Sequence, residues 1–177
     1  MKTQKFEIVS AQSNIAWTGR KVTGAHNGTI VIKNGLLLVE DGHLTGGRFV
    51  IDITSIKILD VTDPATNAQF AGHLASDDFF SSEKFPESVF VITSVTPRSV
   101  NNYHIDGDLT IKGITHEVGF GTVVNTDGSS ITATGKITID RTKYAMKFRS
   151  GNFFKDLGDT LIYNDFDLDV TITAKAV

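Results

Sequence analysis

The feature that most restricts this chain is hydrophobic alternation with a period of two, repeated along most of its length. In Ile105–Lys112, Ile105, Gly107, Leu109 and Ile111 alternate with Asp106, Asp108, Thr110 and Lys112. In Ile131–Asp140, Ile131, Ala133, Gly135, Ile137 and Ile139 alternate with Thr132, Thr134, Lys136, Thr138 and Asp140. From Asp165 to Lys175, Phe166, Leu168, Val170, Ile172 and Ala174 face away from a run of Asp, Thr and Lys. Each pattern is a strand with one wet face and one buried face, the signature of antiparallel rather than parallel sheet. Further strands are expected at Asn14–Lys21, His26–Lys33, Leu36–Glu40, Leu44–Ser55, Ser88–Thr96 and His116–Val124. Turns are expected at Lys33-Asn34-Gly35, Glu40-Asp41-Gly42, Asn101-Asn102, Lys112-Gly113 and Thr126-Asp127-Gly128-Ser129, where Asn-Gly and Asp-Gly favour the positive φ of tight hairpins. Many strands joined by short hairpins restrict the fold to an antiparallel barrel or sandwich.

One stretch departs from the alternation. Asp63-Pro64 is a helix cap followed by proline at the first helical position, and Ala68, Ala71 and Leu74 recur at helical spacing beside Phe70. A helix over about 64–75 is expected. The following Ser76–Pro86 has little period and three phenylalanines, Phe79, Phe80 and Phe85, so the insertion at about 63–86 is placed to cap one end of a barrel.

A chain of 177 residues corresponds to one domain, read here as 1–177. Its net charge of −3 argues against a nucleic-acid partner, which needs clustered Lys and Arg. Cysteine is absent, which removes disulfides, thiolate metal sites and thiol nucleophiles. No run approaches the ~18 apolar residues of a membrane span. The first residues, Met-Lys-Thr-Gln-Lys-Phe-Glu, are polar where a signal peptide needs an apolar stretch. The expected compartment is therefore the cytoplasm as written, or the periplasm had a leader been removed. Phenylalanine is in surplus, 12 residues against three Tyr and one Trp. Such side chains supply apolar bulk with no polar atom to satisfy, for a large core or for a greasy cavity.

Of the five histidines, His26, His43, His73, His104 and His116, none forms an i, i+4 helical pair, and no HExxH pattern occurs, so neither metal nor cofactor is expected. His73 either fixes the Asp77-Asp78 turn or meets a ligand head group; Asp77 with Asp78 reads as helix capping. Arg141 either pairs with a carboxylate such as Asp52 or Asp140, or joins Lys147 in meeting an anionic head group. No GxSxG elbow or glycine-rich phosphate loop is present.

Several passages in order resemble one known family. Gly72-His73-Leu74-Ala75-Ser76-Asp77-Asp78-Phe79-Phe80, followed by Phe85-Pro86, resembles the signature of the YceI-like family. So do Gly46–Asp52 with Ser55-Ile56, Gly107–Gly113, Ile139-Asp140-Arg141, and Trp17–Lys21 with Gly24–Gly28. The likeness runs from about Ser13 to Ala174. It implies an all-β, lipocalin-like antiparallel barrel of eight strands that binds polyisoprenoid or other long amphiphilic chains.

Inward-pointing small residues, Gly107, Gly119 or Gly121, Ala133 and Gly135, would leave volume for such a guest unless aromatics fill it. The expected lining comprises Trp17, Phe49, Ile51, Phe70, His73, Leu74, Phe79, Phe80, Phe90, Ile92, Ile105, Leu109, Phe120, Ile137, Arg141 and Phe148, with Phe79, Phe80 and Phe85 at an entrance or forming a plug. The expected function is a carrier for an isoprenoid, quinone-like or fatty acyl molecule, without catalysis; a homodimer stays open. Two alternatives remain at this point: an enzyme on a lipid-like substrate using His73 and an acid, and a solid barrel serving protein–protein association or stress response.

Overall fold

The computed structural model describes residues 3–151, 157–158 and 161–177. Among the described residues there are nine strands: β1 (Thr3–Ile8), β2 (Asn14–Lys21), β3 (Gly24–Glu40), β4 (His43–Ile58), β5 (Glu87–Ser99), β6 (Asn102–Ile111), β7 (Ile114–Asp127), β8 (Ser130–Asp140) and β9 (Ile162–Ala176). A helix, α1 (Pro64–Ala75), lies between β4 and β5. Eight strands close an antiparallel barrel in the order β3-β2-β9-β8-β7-β6-β5-β4, with β3 pairing back onto β4. The ninth, β1, shares the β2 position: it continues the seam between β3 and β9 beyond a 3₁₀ turn at Ser10–Gln12, pairing Phe6 with Leu37 and with Ala176. The polar opening of the chain gave no strand signal, which is why β1 was not expected.

The hairpin turns fall where Asp-Gly and Lys-Gly pairs place them. Asp41 and Gly42 have φ of 51° and 81°, and Lys112 and Gly113 have 53° and 72°, the left-handed pair that a two-residue turn requires. Asn34-Gly35 is the exception. No turn forms there; β3 runs through as one 17-residue strand, and the extra residue is absorbed as a register shift against β4 between Ile32 and Asn34. A bulge and a hairpin draw on the same residues, and here the long partner strand favoured the bulge.

The helix begins as its sequence dictates: Asp63 accepts from the Thr66 N–H, and Pro64 opens the first turn. Asp77 and Asp78 do not cap it. They lie past its end, where Asp77 accepts from the Ser81 hydroxyl at 2.6 Å and Asp78 bonds His73 Nε2 at 3.0 Å. No helix among the described residues is long and apolar enough to cross a membrane.

The two barrel ends differ. At the β1 end, Phe6, Ile131 and Ala174 are fully buried, and Leu37, Val39 and Leu44 surround them, so that end is plugged by the protein's own core. At the α1 end the wall opens out. The β7–β8 ladder runs only from Asp127↔Ser130 to Thr122↔Gly135. Beyond it, among the described residues, no pairing joins Ile114–Gly121 to Lys136–Asp140, and the 3₁₀ turn Arg141–Tyr144 follows, with Lys143 accepting from His116 Nε2 at 2.9 Å.

On the outside, Arg20 donates to Asp167 at 2.6 Å, and Thr138 adds a second bond at 3.0 Å. These contacts hold the Asp167 carboxyl below its ordinary range. Because the folded value is depressed, the stability is present above the ordinary carboxylate value and is lost as pH falls through the folded one. Asp167→Asn should cost less than about 1 kcal/mol at neutral pH. Its deficit relative to the parent should shrink as pH falls below about 4, measured by thermal unfolding across that range.

Candidate functional site

Two chambers lie end to end inside the barrel. Ile15 and Trp17 on β2, Ile30 and Ile32 on β3, and Phe166 and Leu168 on β9 are successive inward positions; Ile15, Ile32 and Leu168 line the deep chamber and Trp17, Ile30 and Phe166 the other. The deep chamber measures about 100 Å³ and the one under α1 about 550 Å³. The larger value lies within the roughly 300–1,000 Å³ of small-molecule sites.

The deep chamber shows how an eight-stranded barrel fills itself. Phe49 stacks on Phe90 and Phe120 lies tilted against Phe90, with ring centroids 6.3 and 5.7 Å apart. A Cβ at Gly107 would lie 2.4 Å from the Phe90 ring, and one at Gly135 would lie 3.4 Å from Phe120. The inward glycines thus make room for phenylalanine, not for a guest. Gly119 and Gly121 do not face inward at all: they flank the inward Phe120, and a Cβ on Gly119 would meet Asp106 and His104 on the outer face.

The larger chamber is walled by Trp17, Ile30, Phe166 and Ile162 from strands, by Phe70, His73 and Leu74 from α1, and by Phe79, Phe80, Met146 and Phe148 from the segments that follow α1 and β8. Trp17 is fixed by a 3.2 Å bond from its indole N–H to the Lys57 carbonyl. The indole reaches that carbonyl across Gly28, where a Cβ would fall 1.7 Å from the Lys57 oxygen and 2.7 Å from the ring; only glycine permits this crossing. An aromatic cluster closes the helix end: His73 lies edge-on to Phe148 and Phe79, at 4.6 and 5.0 Å, and His26 edge-on to Phe70 at 4.7 Å. His26 in turn bonds Asp60 at 2.8 Å. Burial opposes ionisation of Asp60, but the Asn27 N–H and His26 outweigh it and hold the carboxyl below its ordinary range.

Arg141 is 3% exposed and lies on the chamber wall. Its guanidinium donates to the carbonyls of Tyr163, Met146 and Ile162 at 3.0, 2.7 and 3.0 Å and sits 5.8 Å from the Phe79 ring centroid. The expected carboxylate partner is not there. Asp52 bonds Thr54, and Asp140 accepts from Thr142, capping its own 3₁₀ turn. Burial depresses the Arg141 pKa, with Asp140 opposing. The same turn carries Tyr144, 1% exposed, whose hydroxyl has no partner among the described residues; burial pushes its pKa up to about 12. Tyr144→Phe removes that unpaired group. It should leave unfolding stability unchanged or raise it by about 1 kcal/mol in a urea titration, and a loss of that size would show that the hydroxyl is satisfied.

The residues expected to line one interior divide between the two chambers. Trp17, Phe70, His73, Leu74, Phe79, Phe80, Arg141 and Phe148 surround the larger; Phe49, Ile51, Phe90, Ile92, Ile105, Leu109, Phe120 and Ile137 surround the deep one. Two expected contributors lie elsewhere. Phe85 packs toward the Gly113 turn, and Lys147 is not part of the lining. Sequence reasoning passed over Ile30 and Phe166, which the alternation could have supplied. It also missed Met146, Arg149 and Ile162, whose surroundings carry no periodic signal.

Comparison with known proteins agrees with this architecture. The chain is 41% identical over 85 residues to a UPF0312 protein of Staphylococcus aureus (strain USA300), an alignment covering 43% of this chain and 46% of that protein. The match therefore spans about half the length of that relative. Among solved structures, BcnA of Burkholderia cenocepacia superposes with a TM-score of 0.75 at 21% identity, covering 95% of this chain and 99% of that one. A polyisoprenoid binding domain from Saccharophagus degradans, implicated in plant cell wall breakdown, superposes with a TM-score of 0.68 at 12% identity, covering 97% and 98%. These identities speak to fold. The model of the YceI-like domain matches residues 6–174, nearly the whole chain, and the protein belongs to the YceI-like family.

Proposed function

We propose that the protein is a carrier that holds one long apolar molecule, of isoprenoid, quinone-like or fatty acyl type, in the chamber under α1. The observation that carries this reading is an apolar space of about 550 Å³ lined by aromatic and aliphatic side chains in a barrel whose other half is packed. The description of the Saccharophagus degradans neighbour as a polyisoprenoid binding domain supports it. Each methylene moved out of water contributes ~0.8 kcal/mol, so a dozen contribute roughly 10 kcal/mol. That is comparable with the cost of immobilising the partner, roughly 4–15 kcal/mol, so polar contacts at the mouth set the affinity.

A carrier is favoured over a catalyst because the histidines and the buried arginine of the lining each hold a wall contact. Arg141 binds three carbonyls, His73 binds Asp78 and His26 binds Asp60. Native mass spectrometry of freshly purified protein, with a quenching titration of Trp17 by a polyprenyl alcohol, tests the reading. A lipid-sized adduct at one per chain, or saturable quenching at that stoichiometry, is expected. Reproducible absence of both contradicts it.

A further inference from the structure

Among the described residues, the lining of the larger chamber carries more positive than negative charge. It holds Arg20, Lys21, Arg141 and Arg149 against one carboxylate, Asp165, in a chain with a net charge of −3. Arg20 is paired with Asp167, and the two histidines of the lining, His26 and His73, are paired with Asp60 and Asp78. Among the described residues, Lys21, Arg141 and Arg149 have no carboxylate within ion-pair distance.

The backbones of Lys21 and Arg149 and the guanidinium of Arg141 all meet Ile162, and the three residues share the lining of the larger chamber. Lys21 is the register partner of Ile162, Arg149 accepts the Ile162 N–H through its carbonyl at 2.9 Å, and Arg141 donates to the Ile162 carbonyl at 3.0 Å. Arg149 also lies 5.0 Å from the Phe148 ring centroid, at the edge of the aromatic cluster. The carbonyls around Arg141 satisfy hydrogen bonds but not its charge, which Asp140 offsets only in part, and an incompletely compensated buried cation is costly. An anion arriving there would meet a guanidinium in a low-dielectric wall, where charge-assisted bonds are strongest.

Resting on the carrier reading, we propose that the ligand is an anionic amphiphile, a single apolar chain whose carboxylate or phosphate head sits at the mouth among Lys21, Arg141 and Arg149. The chain occupies the space under α1, and the head remains at the barrel end nearest Ile162. Neutral and cationic heads on the same chain are discriminated against.

The test is a Trp17 fluorescence titration, below the micellar concentration, with four ligands sharing one chain: oleate, oleyl phosphate, oleyl alcohol and oleylamine. Oleate or oleyl phosphate should bind at least about tenfold more tightly than the alcohol, the effect of one good charge-assisted bond, with the amine weakest. Whichever anion leads identifies the head as carboxylate or phosphate, and either supports the proposal. In a Lys21→Glu, Arg149→Glu variant, checked for folding by thermal unfolding, the oleate-to-alcohol affinity ratio should fall to about one or below. Equal binding of oleate and oleyl alcohol, or a ratio unmoved by charge reversal, overturns the head-group assignment while the carrier reading stands. Failure of all four ligands to bind overturns the carrier reading itself.

Discussion

Replacing Arg141 with methionine should lower unfolding stability by at least about 3 kcal/mol, read from the urea midpoint. Methionine approximates the side-chain volume but donates nothing. The substitution strands the carbonyls of Tyr163, Met146 and Ile162, which now share one guanidinium. Those bonds tie the start of β9 to the segment after β8, so the loss should appear as loosening at the chamber mouth. Arg141→Lys should recover only part of it, because an ammonium cannot reproduce a planar fork reaching three acceptors. A loss under about 1 kcal/mol for Arg141→Met would mean that water satisfies the carbonyls and that the residue is not a structural clamp.

Filling the larger chamber should abolish useful binding while sparing the fold. Ile30 and Leu74 line it from β3 and α1, so Ile30→Phe combined with Leu74→Trp directs aromatic bulk into the space. In a packed core such enlargement costs roughly 1–3 kcal/mol. Here the void accepts it, and stability should change by less than about 1 kcal/mol. Each methylene displaced from the site forfeits ~0.8 kcal/mol, so losing three or four weakens binding of a long-chain ligand about a hundredfold or more. Unchanged affinity in the Trp17 titration would place the ligand elsewhere. The matching substitution in the deep chamber, Ile105→Phe, should instead be destabilising, since Phe49, Phe90 and Phe120 already occupy that space.

The barrel was legible because period-two alternation is written into each strand and needs no tertiary information. Phe166, Leu168, Val170, Ile172 and Ala174 face inward because their neighbours are Asp, Thr and Lys. The helix was legible from Asp63-Pro64 for a similarly local reason. Alternation could not say which inward residues face a void. Gly107 and Gly135 looked like empty space, yet Phe90 and Phe120 from neighbouring strands fill it, a fact of cross-strand register and rotamer. Asn34-Gly35 reads as a turn in isolation and becomes a bulge only when β4 is present to pair across it. Arg141 looked like half of an ion pair, but its partners are main-chain carbonyls, which every residue carries and which no side-chain pattern marks.

The central claim is that a guest occupies the space under α1 and that the protein's own side chains leave it room. A crystal structure of the protein grown with oleate in molar excess tests this most directly. The expected result is continuous density for one chain running from the Trp17 indole past Phe79 and Phe148 toward the mouth at Ile162, with α1 still closing the end. A chamber collapsed onto its own aromatics, or a chain bound only on the outer wall, would contradict it.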